Sequence, residues 1–577
     1  MHIPNLQKIK TVTETLDYFL GLNHNLRPGR GELYGMKNLS SDLCPVLSPR
    51  KRRTILKTGV SIQGMGDAHG LCTVEENRLF INGKQTDLML SSVPEDQPRQ
   101  LITMGAWLII LPDRKYINTG DLQDFGSIDA EVRTSAPVCL CQCTLDGQEI
   151  HPGFSGAETP ESPEDRSWWL DYDNKTLKQY SASTGLWVTL ETPYVKLQCP
   201  GIGKPFEEYD GVKISGDPGL EDLAGAAILH GVGQDHVIFP GLIRENQTLF
   251  QPVKITRKMP ELDYCIECGN RLWGCRYGLN AEGRAVNELY CSKLGDFKNW
   301  NTYLGISTDS YTCSLGSAGP FTGAVAYGGY PLFFKEDCLH KVFGSMPSNF
   351  SVQTTACRGV QQGCSRSLSI ADEVLYYKAR GAVCAYDGSL PRDISEPLGK
   401  EEYGRAVAAS CHGKYYISME QGEGSVLLVY DVRRGLWHQE DDLGARFLCR
   451  CRQGLYCADR EGRLLELTGT AEGEKEEEVS WMAESGIIGV TLPGNKYLSR
   501  ISLRMLLNPG STVTVKVQYD SQGPFKTLGT VTGMHLRSFV IPVVPRRCDH
   551  LRLRLEGRGR GLLFSVTRIL SFGGEGG

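Results

Sequence analysis

The sequence lacks any run of about 18 apolar residues, so an ordinary membrane-spanning helix is excluded and no membrane anchor is expected. It has almost no long amphipathic helical pattern, which argues against a helical bundle or a layered α/β fold. The motifs GxxxxGK(S/T), HExxH and GxSxG are absent. Their absence removes the phosphate-cradling loop, the zinc-protease helix and the nucleophile elbow. A large excess of either charge is lacking as well: 62 Lys/Arg against 67 Asp/Glu leave a net of −5 over 577 residues, which does not favour wholesale wrapping of nucleic acid. The opening Met1-His2-Ile3-Pro4-Asn5 lacks the charged-then-apolar pattern of a secretion signal, so folding in a cytoplasm is expected. In that reducing compartment most of the 20 cysteines are expected to be free thiols. Cys338, Cys384, Cys411 and Cys457 sit inside strand-like runs, where a thiol acts as a small apolar filler.

What the chain does have is glycine, 66 residues of it, and short apolar runs bounded by Gly, Asp, Asn and Pro. That combination reads as strand and turn throughout. The segment from Thr13 to Leu20 fits either a short helix or a strand. A motif of strand, tight turn and second strand recurs. It is visible at Asn77–Gly83, at Ala106–Ile110 with Lys115–Ile117, and at Asn270–Gly274. Further copies are Pro331–Phe334 with His340–Phe343, Val374–Tyr377 with Val383–Gly388, Lys414–Ile417 with Leu427–Asp431, and Gly454–Cys457 with Arg463–Leu467. Leu332, Leu375, Tyr415 and Leu455 occupy equivalent places, 43, 40 and 40 residues apart. A period of about 40 residues with four short strands is the sequence signature of a propeller blade. A blade cannot bury both faces alone, so such units come stacked. The predicted fold is therefore all-β: a β-propeller of about six or seven blades. A long sandwich or meander is the alternative.

The period fails between residues 138 and 261, which read as a β-rich domain inserted into the propeller or as two degenerate blades with long loops. The other expected divisions are an extended N-terminal segment (1–53), the first blades (54–137), the remaining blades (262–470) and a C-terminal β-sandwich (471–577). An acidic connector, Glu472–Glu478, precedes the sandwich and reads as solvated. Clean alternation from Leu498 to Leu507 and from Thr512 to Tyr519 marks half-buried strands. From Trp481 onward there are 13 Lys/Arg against 5 Asp/Glu, whereas the preceding residues hold 49 against 62. A basic sandwich thus follows an acidic body.

Candidate chemistry is thin. Cys265 and Cys268 form a CxxC with Cys275 beyond, and Cys139, Cys141 and Cys143 alternate, as do Cys449 and Cys451. Alternating cysteines suit strand packing better than a zinc tetrahedron, so no metal or other cofactor is expected. Ser292–Trp300 resembles the Asp-box turn of sialidase-like propellers, but a single copy with no identifiable nucleophile pair does not make a glycosidase. Basic residues that could meet DNA or a partner are Arg50, Lys51, Arg52 and Arg53, with Arg546, Arg547, Arg558 and Arg560 in the C-terminal segment. Trp168, Trp169 and Trp187 are candidates for stacking on sugar rings, with core packing as the plainer account.

Several stretches resemble a known family. They are Leu20–Asn23, Gly31–Pro45 and Ser48–Arg50 at the N-terminus, then Gly269–Gly274, Leu294–Asp296 with Asn299 and Trp300, Phe333–Glu336 and Pro347–Asn349. The turn Val517–Gly523 adds to them. Together they resemble bacteriophage tail nozzle (tail tubular) and packaged-DNA stabilisation proteins. The resemblance implies a non-enzymatic virion protein, made in the host bacterial cytoplasm. It implies a homo-oligomeric ring of six subunits at the tail or head-to-tail connection, touching other tail proteins. Double-stranded DNA would pass through the ring without sequence-specific contact, and an acidic lumen would let it slide. The alternatives are a tail protein that binds host-surface glycan and a sialidase-like glycosidase.

Overall fold

A computed structural model describes residues 10–94, 97–171, 173–281, 283–492 and 494–572. Met1–Asn5 and Tyr172 lie outside the described residues. No described helix is long and apolar enough to cross a membrane.

The short apolar runs form antiparallel blades arranged as a propeller. Blade 1 comprises the four strands of residues 62–89, and blade 2 those of 100–127. Blades 3 to 6 follow at 264–314, 323–356, 369–393 and 406–439. Blade 7 takes three strands from 445–466 and borrows its fourth, Thr54–Thr58, from near the N-terminus. Glu474–Lys475 adds a short fifth strand at that edge. The first strands line the axis. Ala445–Cys451 of blade 7 packs against Ile62–Asp67 of blade 1, so the circle closes at seven blades.

The repeat has a simple physical basis. Leu332, Leu375, Tyr415 and Leu455 all lie in the second strand of their blades, and each is fully buried. Burying one such side chain contributes about 1.5–3 kcal/mol. Where the position carries tyrosine, the extra hydroxyl is used: Tyr415 donates to the Ser367 carbonyl at 2.8 Å, tying blade 6 to the segment before blade 5. The copy at Asn77–Gly83 is out of phase with the others, because Arg78–Ile81 is the third strand of blade 1. Local pattern alone does not distinguish second from third strands, since both alternate.

The interruption is an inserted β-domain. Its first strand, Ala130–Arg133, pairs with its last, Lys254–Arg257, so both ends leave the propeller at one place. This pairing rules out two degenerate blades and shifts the expected limits of 138 and 261 to 130 and 257. Two sheets of four and five strands enclose a core that includes Val138, Leu140, Val212, Ile214, Phe239 and Ile255. A smaller sheet of residues 154–189 is appended.

The C-terminal sandwich is built from both ends of the chain. Lys10–Leu16, a strand that takes in the first four residues of the segment Thr13 to Leu20 left open above, pairs with Gly561–Phe572. Glu32–Lys37 pairs with Ser480–Ser485. The N-terminal segment is therefore part of the sandwich rather than a separate extension. One continuous apolar cluster joins Trp481, Leu498 and Leu503 of the sandwich to Tyr376, Tyr430 and Trp437 of blades 5 and 6.

Candidate functional site

The basic run at residues 50–53 is not a surface patch, which corrects the expectation for Arg50 and Arg53. Arg53 is 2% exposed and pairs with Glu440 and Asp441, each at 2.7 Å. Arg50, also buried, pairs with Glu476 and lies 3.3 Å from Asp441. Burial works against the charge on Arg53, but Glu440 and Asp441 outweigh it and hold the guanidinium firmly protonated. Glu476 belongs to the acidic connector, so that segment is partly fastened rather than wholly solvated. Arg52 donates to the Glu476 carbonyl and meets Glu478 at 3.4 Å, while Lys51 is exposed.

Arg546, Arg547, Arg558 and Arg560 are exposed. Arg546 lies over the Tyr519 ring at 5.3 Å. Arg558, Arg50 and Lys37 border one cleft, and Glu476, Glu477, Glu478 and Glu556 border it too, so its charge is mixed. Trp169 is buried, donates to the Gly156 carbonyl at 3.0 Å and meets Trp187 edge-on at 5.5 Å. Trp168 packs on Ile150, Leu170 and Leu177. These tryptophans thus pack within the inserted domain. Cys265 and Cys275 are buried in adjacent strands of blade 3, and burial pushes the Cys265 thiol up to about 12. Among the described residues no group of three or more His, Cys, Asp or Glu is placed to hold a metal. The turn at Ser292–Trp300 faces the inserted domain: Asn299 accepts from the Gly211 amide and donates to Asp210, each at 2.9 Å.

A cavity of about 1030 Å³ lies elsewhere, at one mouth of the propeller axis. Strands that begin at the axis and hairpins that return to the same end both reach it. Arg366 precedes the first strand of blade 5, Arg405 precedes that of blade 6, and Arg446 lies in that of blade 7. Their spacings, 39 and 41 residues, follow the blade period. Radial repetition therefore brings side chains that are distant in sequence to one rim. Arg460 joins them from a hairpin of blade 7, and Glu420 and Ser425 from a hairpin of blade 6. Tyr264, Arg276 and Phe321 also line the pocket.

The electrostatics of this rim are uneven. Glu420 meets Arg460 at 2.5 Å and accepts the Arg405 amide at 3.2 Å. Burial alone would raise the Glu420 carboxyl, but these contacts hold it below the usual range. Asp263 and Glu261, also in the lining, pair with Arg276 at 2.6 and 3.5 Å. Arg366 donates to the Arg446 carbonyl, and its guanidinium lies 4.7 Å from the centre of the Phe447 ring. No carboxylate lies within ion-pair distance of Arg366 among the described residues. Burial first, then the charges of Arg446, Arg460 and Arg405, pull its pKa down to about 10. A body that is acidic in total thus has a guanidinium-rich axial mouth. The 39- and 41-residue spacing of these arginines was present in the sequence, but a propeller was needed to give it meaning.

No protein-family model matches the chain, and no curated protein is detectably similar in sequence. Solved structures are similar at low identity. BamB from Moraxella catarrhalis is 9% identical, with 74% of this chain and 99% of that one covered and a TM-score of 0.32. The phage phi92 endosialidase is 10% identical, with coverages of 77% and 74% and a TM-score of 0.25. An exo-β-1,3-galactanase from Phanerochaete chrysosporium is 8% identical, with coverages of 53% and 94% and a TM-score of 0.23.

Proposed function

We propose that the chain is a non-enzymatic tail protein of a bacteriophage virion whose propeller binds host-surface glycan in its axial pocket. One observation carries the binding part: a cavity of about 1030 Å³, lined by convergent arginines, hydroxyls and aromatic rings, at the mouth of a seven-bladed ring. Binding sites of small ligands are concave, with a few polar groups fixing orientation. Aromatic faces and hydroxyl-bonding side chains suit sugar rings. The tail assignment is supported by the resemblance of Gly269–Gly274, Leu294–Asp296 and Val517–Gly523 to tail nozzle proteins. A glycan array probed with the purified protein, together with mass spectrometry of purified virions, tests both parts. Binding to no glycan removes the first, and absence from virions removes the second.

The pocket carboxylates favour binding over hydrolysis. Glu420 is held in its charged form by Arg460 and the Arg405 amide, and Asp263 and Glu261 are both engaged by Arg276. A glycosidase needs one carboxyl group kept protonated beside another that is ionised. Release of a chromogenic sugar would reverse this reading.

A second reading, assembly into a ring of six copies around a DNA channel, is favoured by a different feature. The four-stranded sheet of the C-terminal sandwich ends in the edge strand Arg537–Ile541. Leu536, Val540 and Val544 are exposed on and beside it, at 44%, 51% and 84%. An open edge with exposed apolar residues is a template for pairing with another chain. Negative-stain microscopy of the purified protein distinguishes rings from single particles.

A further inference from the structure

The excess of guanidinium at the axial mouth has a chemical consequence. Four arginines, Arg366, Arg405, Arg446 and Arg460, gather at one rim, and the carboxylate among them, Glu420, is held by Arg460 at 2.5 Å. Arg366 is the centre of this imbalance. It is largely withdrawn from water, sits against the Phe447 ring, and has a backbone carbonyl rather than a carboxylate as its partner. A desolvated cation among like charges is unfavourable until an anion arrives. We propose that this rim binds the carboxylate of an acidic sugar, with Arg366 and Arg405 as the principal contacts. The inference rests on the glycan-binding reading and narrows it to one class of glycan.

The rest of the pocket favours a carboxylate-bearing sugar over nucleic acid. Arginine presents paired N–H donors that match a planar carboxylate. Tyr264, Ser365 and Ser425 line the same cavity as Arg366, so hydroxyl groups are available beside the cation. Glu420 accepts from hydroxyl groups but repels a chain of phosphates. Arg276 lines the same cavity but is compensated by Asp263 and Glu261, so it adds no unpaired cation. A bounded cavity of this kind suits a short acidic oligosaccharide with one carboxylate seated at the arginines.

Isothermal titration calorimetry with the full-length protein tests the proposal. The probes are uronate- and sialate-bearing oligosaccharides, the same oligosaccharides with the carboxylate reduced to an alcohol, neutral oligosaccharides, and a single-stranded oligonucleotide. The acidic forms are expected to bind, and reduction of the carboxylate to weaken binding at least about tenfold, as loss of a charge-assisted contact does. Arg366→Gln is expected to weaken binding by a similar factor and to raise the Tm of the free protein, because it removes an uncompensated cation. Arg405→Gln, at an exposed position, is expected to weaken binding with the Tm unchanged. Equal affinity for the acidic and reduced forms overturns the carboxylate assignment and leaves the glycan reading standing. Affinity for no glycan, neutral or acidic, overturns both. Oligonucleotide binding that Arg366→Gln abolishes identifies phosphate as the ligand and overturns the proposal. A lowered Tm with unchanged affinity in Arg366→Gln makes the residue structural and overturns it too.

Discussion

The Arg53 guanidinium and the Glu440 carboxylate lie 2.7 Å apart with side chains only 3% and 7% exposed. Arg53 sits just before the borrowed strand Thr54–Thr58, and Glu440 just after the last strand of blade 6. The pair therefore fastens the strand that closes the propeller to the blade beside it. Asp441, Arg50 and Glu476 extend the network.

Removing Arg53 takes the nearer cation from the buried Glu440 and the half-buried Asp441, leaving them only Arg50 at 3.8 and 3.3 Å. Arg53→Met is expected to lower stability by about 3–5 kcal/mol, the usual effect of breaking a buried pair from one side. The double variant Arg53→Met with Glu440→Leu is expected to recover part of that loss, since both charges then leave the interior. Urea unfolding of the three proteins measures it. An Arg53→Met protein as stable as the parent would show that the network does not hold the closure.

Asn299 joins blade 3 to the inserted domain through its bonds to Gly211 and Asp210. Asp210 in turn pairs with the buried Arg257, in the last strand of that domain. Asn299→Ala is expected to cost about 1–3 kcal/mol, because it leaves a buried amide and a carboxylate short of partners. Limited proteolysis is expected to cut faster around residues 128 and 258, where the domain joins the propeller. An unchanged cleavage pattern would rule out this joint.

Two buried histidines set a pH dependence. Burial, and then the charge of Lys335, pushes His340 down to about 4. Burial, and then Lys414, pushes His438 down to about 3. In the unfolded chain both titrate near about 6.5. Between these values the unfolded state binds protons that the folded state does not. The stability from neutral histidine is therefore full at neutral pH and is lost as pH falls from about 6.5 to about 4 for His340 and to about 3 for His438. The expected slope is about 1.4 kcal/mol per pH unit for each histidine. Denaturation midpoints across this window check the slope, and His438→Leu should remove one histidine's share of it.

Thiol reactivity follows burial. Cys139 is exposed, whereas its neighbours Cys141 and Cys143 are buried, and burial pushes them up to about 11 and about 12. The thiolate is the reactive form, so these two should react slowly. An aromatic disulfide reagent is expected to label Cys139 in the fastest phase and all 20 cysteines only in denaturant. Cys139→Ser should abolish that fast phase.

The strands and the blade period were legible because they depend on local alternation and on burial repeated at a fixed interval. Leu375 and Leu455 show this: each is fully buried in a short apolar strand, and they stand 80 residues, two blade periods, apart. The basic run misled because its partners are far away. Nothing near Arg53 indicates that Glu440, 387 residues later, will neutralise it. The axial arginines were overlooked for the same reason. Arginines about 40 residues apart are unremarkable in a linear chain and converge only when the blades are set around a circle.

By itself the sequence determined an all-β chain of repeated short sheets, an interruption and a basic C-terminal domain, since backbone preference and alternating burial act over a few residues. Tertiary structure decided the count of seven, the closure by Thr54–Thr58, and the pairing of Lys10–Leu16 with Gly561–Phe572. It also decided which charges are neutralised and which remain. Those outcomes depend on through-space distance between residues hundreds of positions apart, and electrostatic and packing energies act through space rather than along the chain.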